Sequence, residues 1–330
     1  MKLLVTGGAG YIGSVVVRQL RAAGHEVEVL DSLLTGHREA LPDDVPLHNH
    51  DIHDVGWVLT QEAGFDGVLH FAARIAAGES VERPELYWHT NVGGTLRLLD
   101  AIRLAGVPRL VFSSTAAVYG NPTSVPITEK APPAPTNPYG WTKLAADMAI
   151  QHACTAYGLG AVSLRYFNVA GASLSPGEPP LGERHDPETH LIPIALEVAA
   201  GVRDRLRIFG GDYPTRDGTC IRDYIHVDDL ASAHLLALEA IDPSGHKIYN
   251  LGNGTGFSNL QIVEAVRQVT GADVPVRGAP RRPGDPAQLI ASSLRARAEL
   301  DWAPTKSDLQ AIIGDAWEFF QAERAAQAHG

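Results

Sequence analysis

Disulfide chemistry is the first thing this sequence is short of. Its 330 residues include only two cysteines, Cys154 and Cys220, too few for a disulfide framework. A reducing, cytoplasmic setting is expected. Long apolar runs are missing as well. No stretch approaches the ~20 residues of a membrane span, and the opening Met1-Lys2-Leu3-Leu4-Val5-Thr6-Gly7 is too short an apolar run for a signal peptide. Positive charge is in deficit. The 27 basic residues against 38 acidic ones leave a net charge of -11, which argues against non-specific nucleic-acid binding. There is no internal repeat and no zinc-type spacing, and the 14 histidines are scattered. No metal site is expected. What is present is ordinary globular material: 45% hydrophobic residues for a core, and 20% charged residues with evenly spread Gly and Pro, which excludes a disordered chain. The length suits two domains, or one large α/β domain with an appended lobe.

Lys2 to Val5 reads as a short buried strand running into Thr6-Gly7-Gly8-Ala9-Gly10-Tyr11-Ile12-Gly13. Gly8, Gly10 and Gly13 satisfy G-x-G-x-x-G, and Gly7, Gly10 and Gly13 give the wider spacing. A helix over about 11–23 follows, with Ile12, Val15, Val16 and Leu20 on its apolar face and Gly24 as its stop. Strand before and helix after is the context in which such glycines admit a pyrophosphate at a helix N-terminus. The next strand, Glu26 to Leu30, ends at Asp31. An acidic residue ~20 positions past the glycines takes the adenosine ribose hydroxyls and repels a 2′-phosphate, favouring NAD over NADP; Asp31 also suits an ordinary strand-end turn.

Further βα units follow. Leu47 to His50 leads to Asp51 and Ile52; Gly67 to Phe71 ends in Ala72-Ala73; a helix over 84–105 carries Asn91; Arg109 to Phe112 ends at Ser113-Ser114-Thr115. Strands alternating with helices at this pace predict a Rossmann-like, doubly wound parallel sheet. Ligands of such sheets bind beyond the carboxyl ends of the strands, and all these residues fall on that edge. Tyr139 joins them after the next connection. Pro138 suits the first position of a helix, so Tyr139 and Lys143, four residues apart, share one helix face. A fixed positive charge beside a phenol lowers its pKa toward the range of a general acid/base.

These residues resemble the extended short-chain dehydrogenase/reductase family, and within it the 4-epimerases of UDP-glucose. The resemblance covers essentially the whole chain. Its marks are residues 7–14, Phe71-Ala72-Ala73 with Gly78-Glu79-Ser80-Val81, Asn91-Val92-Gly93-Gly94-Thr95, residues 113–120, Tyr139-x-x-x-Lys143 and Arg165-Tyr166-Phe167-Asn168. More specific to the epimerases are residues 208–215, Arg222-Asp223-Tyr224-Ile225-His226-Val227 and Arg281-Arg282-Pro283-Gly284-Asp285. The resemblance implies tightly bound NAD, oxidation of the sugar at C4, turning of the 4-keto sugar in the pocket, and reduction on its other face. It makes Tyr139, Lys143 and Thr115 catalytic. It assigns the cofactor to Gly7, Gly10, Tyr11, Ile12, Gly13, Asp31, Ser32, Asp51, Ile52, Phe71, Ala72, Ala73, Asn91, Ser113, Tyr139, Lys143 and Tyr166. Dehydratases and decarboxylases of this fold carry an acidic residue just after the active-site Ser or Thr, whereas Ala116 and Ala117 follow Thr115 here. Arg74 stands near where some epimerases have a Lys on the nicotinamide ribose, and its fork differs from an ammonium.

Residues 1–169 are expected to form the NAD-binding domain, to which the chain returns around 222–245. Residues 170–330 are mainly a smaller α/β lobe for the UDP-sugar, opening with a Gly/Pro-rich loop over 172–187. By the resemblance, substrate contacts are Thr115, Tyr139, Asn168, His190, Leu191, Arg207, Phe209, Arg222, Tyr224, Arg282, Asp285 and Leu289. Arg222 and Arg282 suit the diphosphate, though a surface Arg is as often a solvated ion pair, and Phe209 equally suits the core. Leu289 falls where a bulky Tyr would exclude N-acetylated sugars. A homodimer through the helices of 85–105 and 139–157 is a further implication. Two other readings stay open: a decarboxylase or dehydratase of the same fold, and a non-catalytic nucleotide sensor.

Overall fold

The computed structural model describes every residue except Ser244, Pro283 and Gly330; Pro283, part of one family mark, therefore lies outside the described residues. The first half contains β1 (Lys2–Thr6), α1 (Tyr11–Ala22), β2 (Glu26–Leu30), β3 (Leu47–His48), β4 (Gly67–His70), α2 (Ala77–Glu82), α3 (Pro84–Tyr87), α4 (Gly94–Ala105), β5 (Arg109–Thr115), α5 (Pro138–Tyr157), β6 (Gly160–Tyr166) and β7 (Asn168–Ala170). The second half adds α6 (Leu191–Ala199), β8 (Leu206–Phe209), β9 (Ile221–His226), α7 (Val227–Glu239), β10 (His246–Leu251), β11 (Gly256–Ser258), α8 (Asn259–Thr270), β12 (Val276–Ala279), β13 (Gln288–Leu289), α9 (Leu294–Leu300) and α10 (Leu309–His329).

Seven parallel strands form the main sheet in the order β10-β6-β5-β4-β1-β2-β3. The chain moves outward from β1 through β2 and β3, then restarts on the other side with β4. That reversal creates the crevice in which doubly wound sheets bind ligands. Val and Leu runs make the strands buried on both faces. One face is covered by α1 and α7, through Val15, Val16, Leu20, Leu230 and Ala231. The other is covered by α4 and α5, through Leu98, Ile102 and Ile150.

The smaller lobe has its own core, including Ile192, Leu196, Ile262 and Ile312. Its centre is β9, which pairs with β7 and β13 in parallel and with β11 antiparallel. A separate parallel pair joins β8 and β12. Arg222 to His226 were expected to return the chain to the nucleotide-binding domain; their strand lies in the small sheet instead. The chain reaches the large sheet with α7, packed beside α1, and with β10, which adds to β6.

The helix expected over 84–105 is also interrupted. Trp88–Gly93 is one wide π-type turn between α3 and α4. Such turns are rare and concentrate at functional sites. Here the turn carries Asn91, whose buried side chain crosses to the loop after β4.

Candidate active site

The loop between β1 and α1 is shaped for close backbone approach. A Cβ on Gly13 would lie 2.2 Å from the Gly7 carbonyl oxygen, so only glycine allows the first turn of α1 to sit against the strand end. Gly10 caps α1 without a side-chain hydrogen bond, and the first turn has no acidic residue. Its backbone N–H groups are therefore free of any side-chain cap, as an anion site requires. At the end of β2, buried Asp31 accepts hydrogen bonds from the Ala9 N–H and the Leu33 N–H, both at 2.9 Å. These features fit a dinucleotide: N–H donors for its phosphates and a fixed carboxylate for ribose hydroxyls.

The neighbouring residues named from the sequence divide by exposure. Ser32 and Asp51 are exposed, and Ile52 is buried against Gly94. Asp51 starts a short 3₁₀ turn and accepts from the His53 N–H at 3.0 Å. Tyr11 ties the glycine loop to the lobe by donating to the Gly171 carbonyl at 2.7 Å, while Ile12 packs on the sheet core. Phe71 lies 4.8 Å, ring to ring, from buried His234. Burial lowers the His234 pKa to about 4. The Ala72 N–H donates to the Thr6 carbonyl at 3.1 Å, and Ala73 follows it, half-buried, into the loop after β4. Asn91 holds that loop. Its Oδ1 accepts from the Arg74 N–H at 2.8 Å, and its Nδ2 donates to the Arg74 carbonyl and to Thr142 Oγ1. Arg74 itself turns toward Glu79, 3.8 Å away.

At the next strand end, α5 sets the central pair. Asn137 Oδ1 accepts from the Gly140 N–H at 2.9 Å and Pro138 occupies the first turn. A Cβ on Gly140 would stand 2.7 Å from the Ala117 carbonyl oxygen. Glycine there lets α5 approach the turn after β5, which brings Tyr139 beside Thr115. The Thr115 hydroxyl, which accepts from the Ala117 N–H at 3.1 Å, is near enough to the Tyr139 phenol to favour its ionised form. Lys143, one turn on, is buried. Its Nζ donates to the Ser113 carbonyl at 2.8 Å and lies 4.9 Å from the Phe112 ring centroid. Ser113 Oγ makes a short hydrogen bond to the Tyr166 hydroxyl. Glycine loop, Asp31, Phe71, Ser113, Thr115, Tyr139, Lys143 and Tyr166 thus all lie on one edge of the sheet.

One electrostatic expectation is reversed. Lys143 was expected to lower the Tyr139 pKa, yet burial raises it, offset only by the nearby Thr115 hydroxyl. Lys143 is itself desolvated, which lowers its pKa to about 8 against the opposing charge of Asp147. Its ammonium is committed to the Ser113 carbonyl. Tyr166 is held still further above the ordinary phenol range by burial, though its bond to Ser113 acts the other way.

Behind Lys143 lies a network not foreseen from the sequence. Asp147 accepts from Arg165 Nε and Nη2 at 3.0 and 2.9 Å and from Ser114 Oγ at 3.1 Å. Arg165 also donates to the Tyr119 hydroxyl, which donates to Asn250. The spacing Lys143-x-x-x-Asp147 on a helix was the available signal.

The lobe residues meet at the other side. Register places Asn168 opposite Tyr224 and Arg222 opposite Leu289. Arg222 Nη2 donates to Asp285 Oδ1 at 2.5 Å. Arg282 stacks 4.2 Å over Phe209, and Arg207 lies 5.3 Å from the same ring. Leu289 packs on the cluster of Ala116, Val118 and Phe167, which follows Thr115. His190 instead pairs with Glu183 and Glu188 at the entry of α6, where Leu191 packs on the lobe core. Glu183, His185, Glu188 and His190 form a tight cluster that was missed, although Glu-x-His-x-x-Glu-x-His is visible in the chain.

The sheet order, the glycine loop and half-buried Tyr139 with buried Lys143 define a dinucleotide-binding protein of the doubly wound class. The NAD dependent epimerase/dehydratase family matches residues 3–252, and the chain belongs to that family. The UDP-glucose 4-epimerase of Corynebacterium glutamicum is 55% identical over 322 residues, covering 98% of this chain and 96% of the relative. A crystal structure of UDP-glucose 4-epimerase from Brucella ovis in complex with NAD superposes with a TM-score of 0.91, at 45% identity, covering 97% of this chain and 98% of that one. The UDP-Glc/GlcNAc 4-epimerase of Campylobacter jejuni superposes with a TM-score of 0.83, at 41% identity, covering 97% and 99%.

Proposed function

We propose that this protein is an NAD-dependent isomerase that interconverts UDP-glucose and UDP-galactose at C4 of the sugar. The observation that carries the reading is Tyr139 beside Thr115 and buried Lys143, on the sheet edge that also holds the glycine loop and Asp31. NAD supplies the acceptor and donor of the C4 hydride, and its positive ring adds the charge that favours the Tyr139 phenolate. Tyr139 takes the proton of the sugar 4-hydroxyl and returns it, with Thr115 hydrogen-bonding the same oxygen. Lys143 holds the nicotinamide ribose, with Ser113 and Tyr166 fixing its surroundings. Tyr11, Ile12, Phe71, Ala72, Ala73 and Asn91 shape the remaining cofactor cleft. Arg222 and Arg282 bind the diphosphate, Asp285 a ribose hydroxyl, and Phe209 with Arg207 and Leu191 the uracil side. Ala116 places no carboxylate beside the oxidised sugar, so elimination of water lacks its acid. This favours epimerisation over the dehydratase reading.

Leu289, half-buried beside Ala116, supports a second sugar pair. Its small side chain leaves room for an N-acetyl group, and UDP-GlcNAc with UDP-GalNAc are proposed as additional substrates. The two-substrate name of the Campylobacter jejuni relative agrees with this.

Residues 1–169 with α7 and β10 serve as the cofactor domain, and the remainder as the substrate lobe. The assembly is a homodimer. Trp88, Leu96, Leu104, Trp141, Met148 and Tyr157 are large apolar residues left exposed on the two helical segments expected to pair. The scarce, buried cysteines suit the cytoplasm.

The deciding experiment incubates purified protein with UDP-galactose without added NAD. Formation of UDP-glucose is expected; no product with NAD verified in the protein would refute the reading. A monomer by light scattering would remove the dimer.

A further inference from the structure

Glu183, His185, Glu188 and His190 lie within eight residues, between the Ser173–Leu181 bridge and the start of α6. One donor atom from each, a carboxylate oxygen or an imidazole nitrogen, lies within 4.8 Å of the other three. His190 Nδ1 is 2.6 Å from Glu183 Oε1 and 3.4 Å from Glu188 Oε1. His185 Nδ1 is 3.1 Å from Glu183 Oε1 and 3.8 Å from Glu188 Oε2. Both imidazoles thus turn the same nitrogen toward the same two carboxylates. The Glu183 and Glu188 side chains are only 9% and 6% exposed. Two carboxylates so buried and so close need positive charge beside them, which the imidazoles supply when protonated and a metal ion would supply in their place.

His185 Nδ1 is the second observation. It is buried and makes no hydrogen bond, although two carboxylate oxygens stand nearby. A nitrogen held 3.1 Å from a carboxylate oxygen without forming a hydrogen bond to it is placed as a metal-ligating atom would be. Donors about 2.0–2.2 Å from a tetrahedral ion are roughly 3.3–3.6 Å apart. The imidazole–carboxylate separations run from 2.6 to 3.8 Å, counting either oxygen of Glu188, and the four donor atoms lie within 4.8 Å of one another, so the donors would shift by about 1 Å to enclose an ion.

We propose that Glu183, His185, Glu188 and His190 bind one divalent transition-metal ion, zinc by preference. Two imidazole nitrogens with two carboxylate oxygens suit zinc better than magnesium or calcium, which take all-oxygen sites. Two negative charges neutralise the ion. All four ligands come from the protein, so the site is closed and structural rather than catalytic. Its place in the fold agrees. Arg184, inside the same segment, reaches Glu39 at 3.2 Å and Glu323 at 3.3 Å, and Tyr11 tethers Gly171 just upstream. An ion here would lock the loop that leads from the glycine-loop side into α6.

The test titrates full-length protein, stripped of metal by a chelator, with zinc chloride alone in a calorimeter. One ion per chain with Kd at or below about 1 μM is expected, with a rise in Tm on zinc addition. Cobalt(II) should give the visible absorption of a four-coordinate nitrogen/oxygen site. Glu183→Gln and His185→Asn should each weaken zinc at least ~10-fold. If either variant loses its fold by circular dichroism, His190→Asn, which alters the exposed ligand, is read in its place. No binding up to about 100 μM zinc, or binding unchanged in the folded variants, overturns the proposal and leaves an ion-paired cluster.

Discussion

The carboxyl edge of the large sheet and the small lobe hold their functional side chains in different ways. On the sheet edge the fixing contacts are short and made to backbone. Lys143 donates to a carbonyl of β5, Asp31 accepts two backbone N–H groups, and Gly13 and Gly140 let main chains touch. In the lobe the contacts are chiefly side chain to side chain, Arg222 to Asp285 and Arg282 and Arg207 to Phe209, although buried Arg222 also donates to the Ile221 carbonyl at 2.8 Å. Arg207 and Arg282 are exposed, whereas Lys143 is buried. Backbone-anchored groups keep their geometry to within a fraction of an ångström, which proton transfer needs. Long exposed cations can swing onto a diphosphate and release it. On the proposed function, the division is between groups that react and groups that bind.

The largest effect that tests this division is Tyr139→Phe. Removing the proton-transfer group should lower kcat by ~10²–10⁴-fold, with bound NAD unchanged by absorbance. Retained turnover would take Tyr139 out of its role. Next is Gly13→Ala, whose added Cβ would collide with the Gly7 carbonyl. Forcing the backbone apart should cost roughly 1–3 kcal/mol in urea melts and strip most of the cofactor during purification. Full NAD occupancy would show the cradle to be less tight than its geometry.

Arg282→Ala probes the other side. Losing a charge-assisted contact worth about 1.5–3 kcal/mol should raise KM for the UDP-sugar by ~10–100-fold with kcat nearly unchanged. A matching fall in kcat would mean that the lobe also positions the reacting carbon. The pH profile is subtler. Lys143 is charged below a pKa of about 8 and neutral above it. Then kcat/KM should fall above pH ~8, by at most ~10-fold per unit. Lys143→Arg, slower but permanently charged, should move that decline to higher pH. Stability runs the opposite way. The unfolded lysine keeps its proton up to its ordinary pKa of 10.5, so this group's contribution is full above that value and is lost as pH falls toward 8. The smallest change is Leu289→Tyr, which should cut turnover of the N-acetylated pair about 10-fold relative to UDP-glucose. Equal loss on both pairs would make Leu289 a packing residue only.

Much of the first region was legible in the chain because its signals are local. Strand, glycines, helix and Asp31 follow one another within thirty residues, and Tyr139 and Lys143 are one helical turn apart. The second region was legible only through family resemblance, because residues separated by dozens of positions meet there through strand pairing. Periodicity also gave no warning of the π turn at Trp88–Gly93, since its residues suit an ordinary helix equally well. Arg165–Asp147 and the Glu183–His190 cluster escaped because opposite charges in a sequence do not show whether they will be buried together.

By itself the sequence determined the alternation of strands and helices, the glycine loop, and the pairing of a phenol with an ammonium on one helix face. These follow from chain-neighbour geometry, the periods of 2 and 3.6 and the freedom of glycine. The tertiary structure decided the sheet order, the placement of Arg222 to His226 in the small sheet, and the charge state of the central pair. A pKa depends on how much water and which dipoles surround a group. Only the folded chain buries Lys143 against the Ser113 carbonyl and sets Tyr139 beside Thr115.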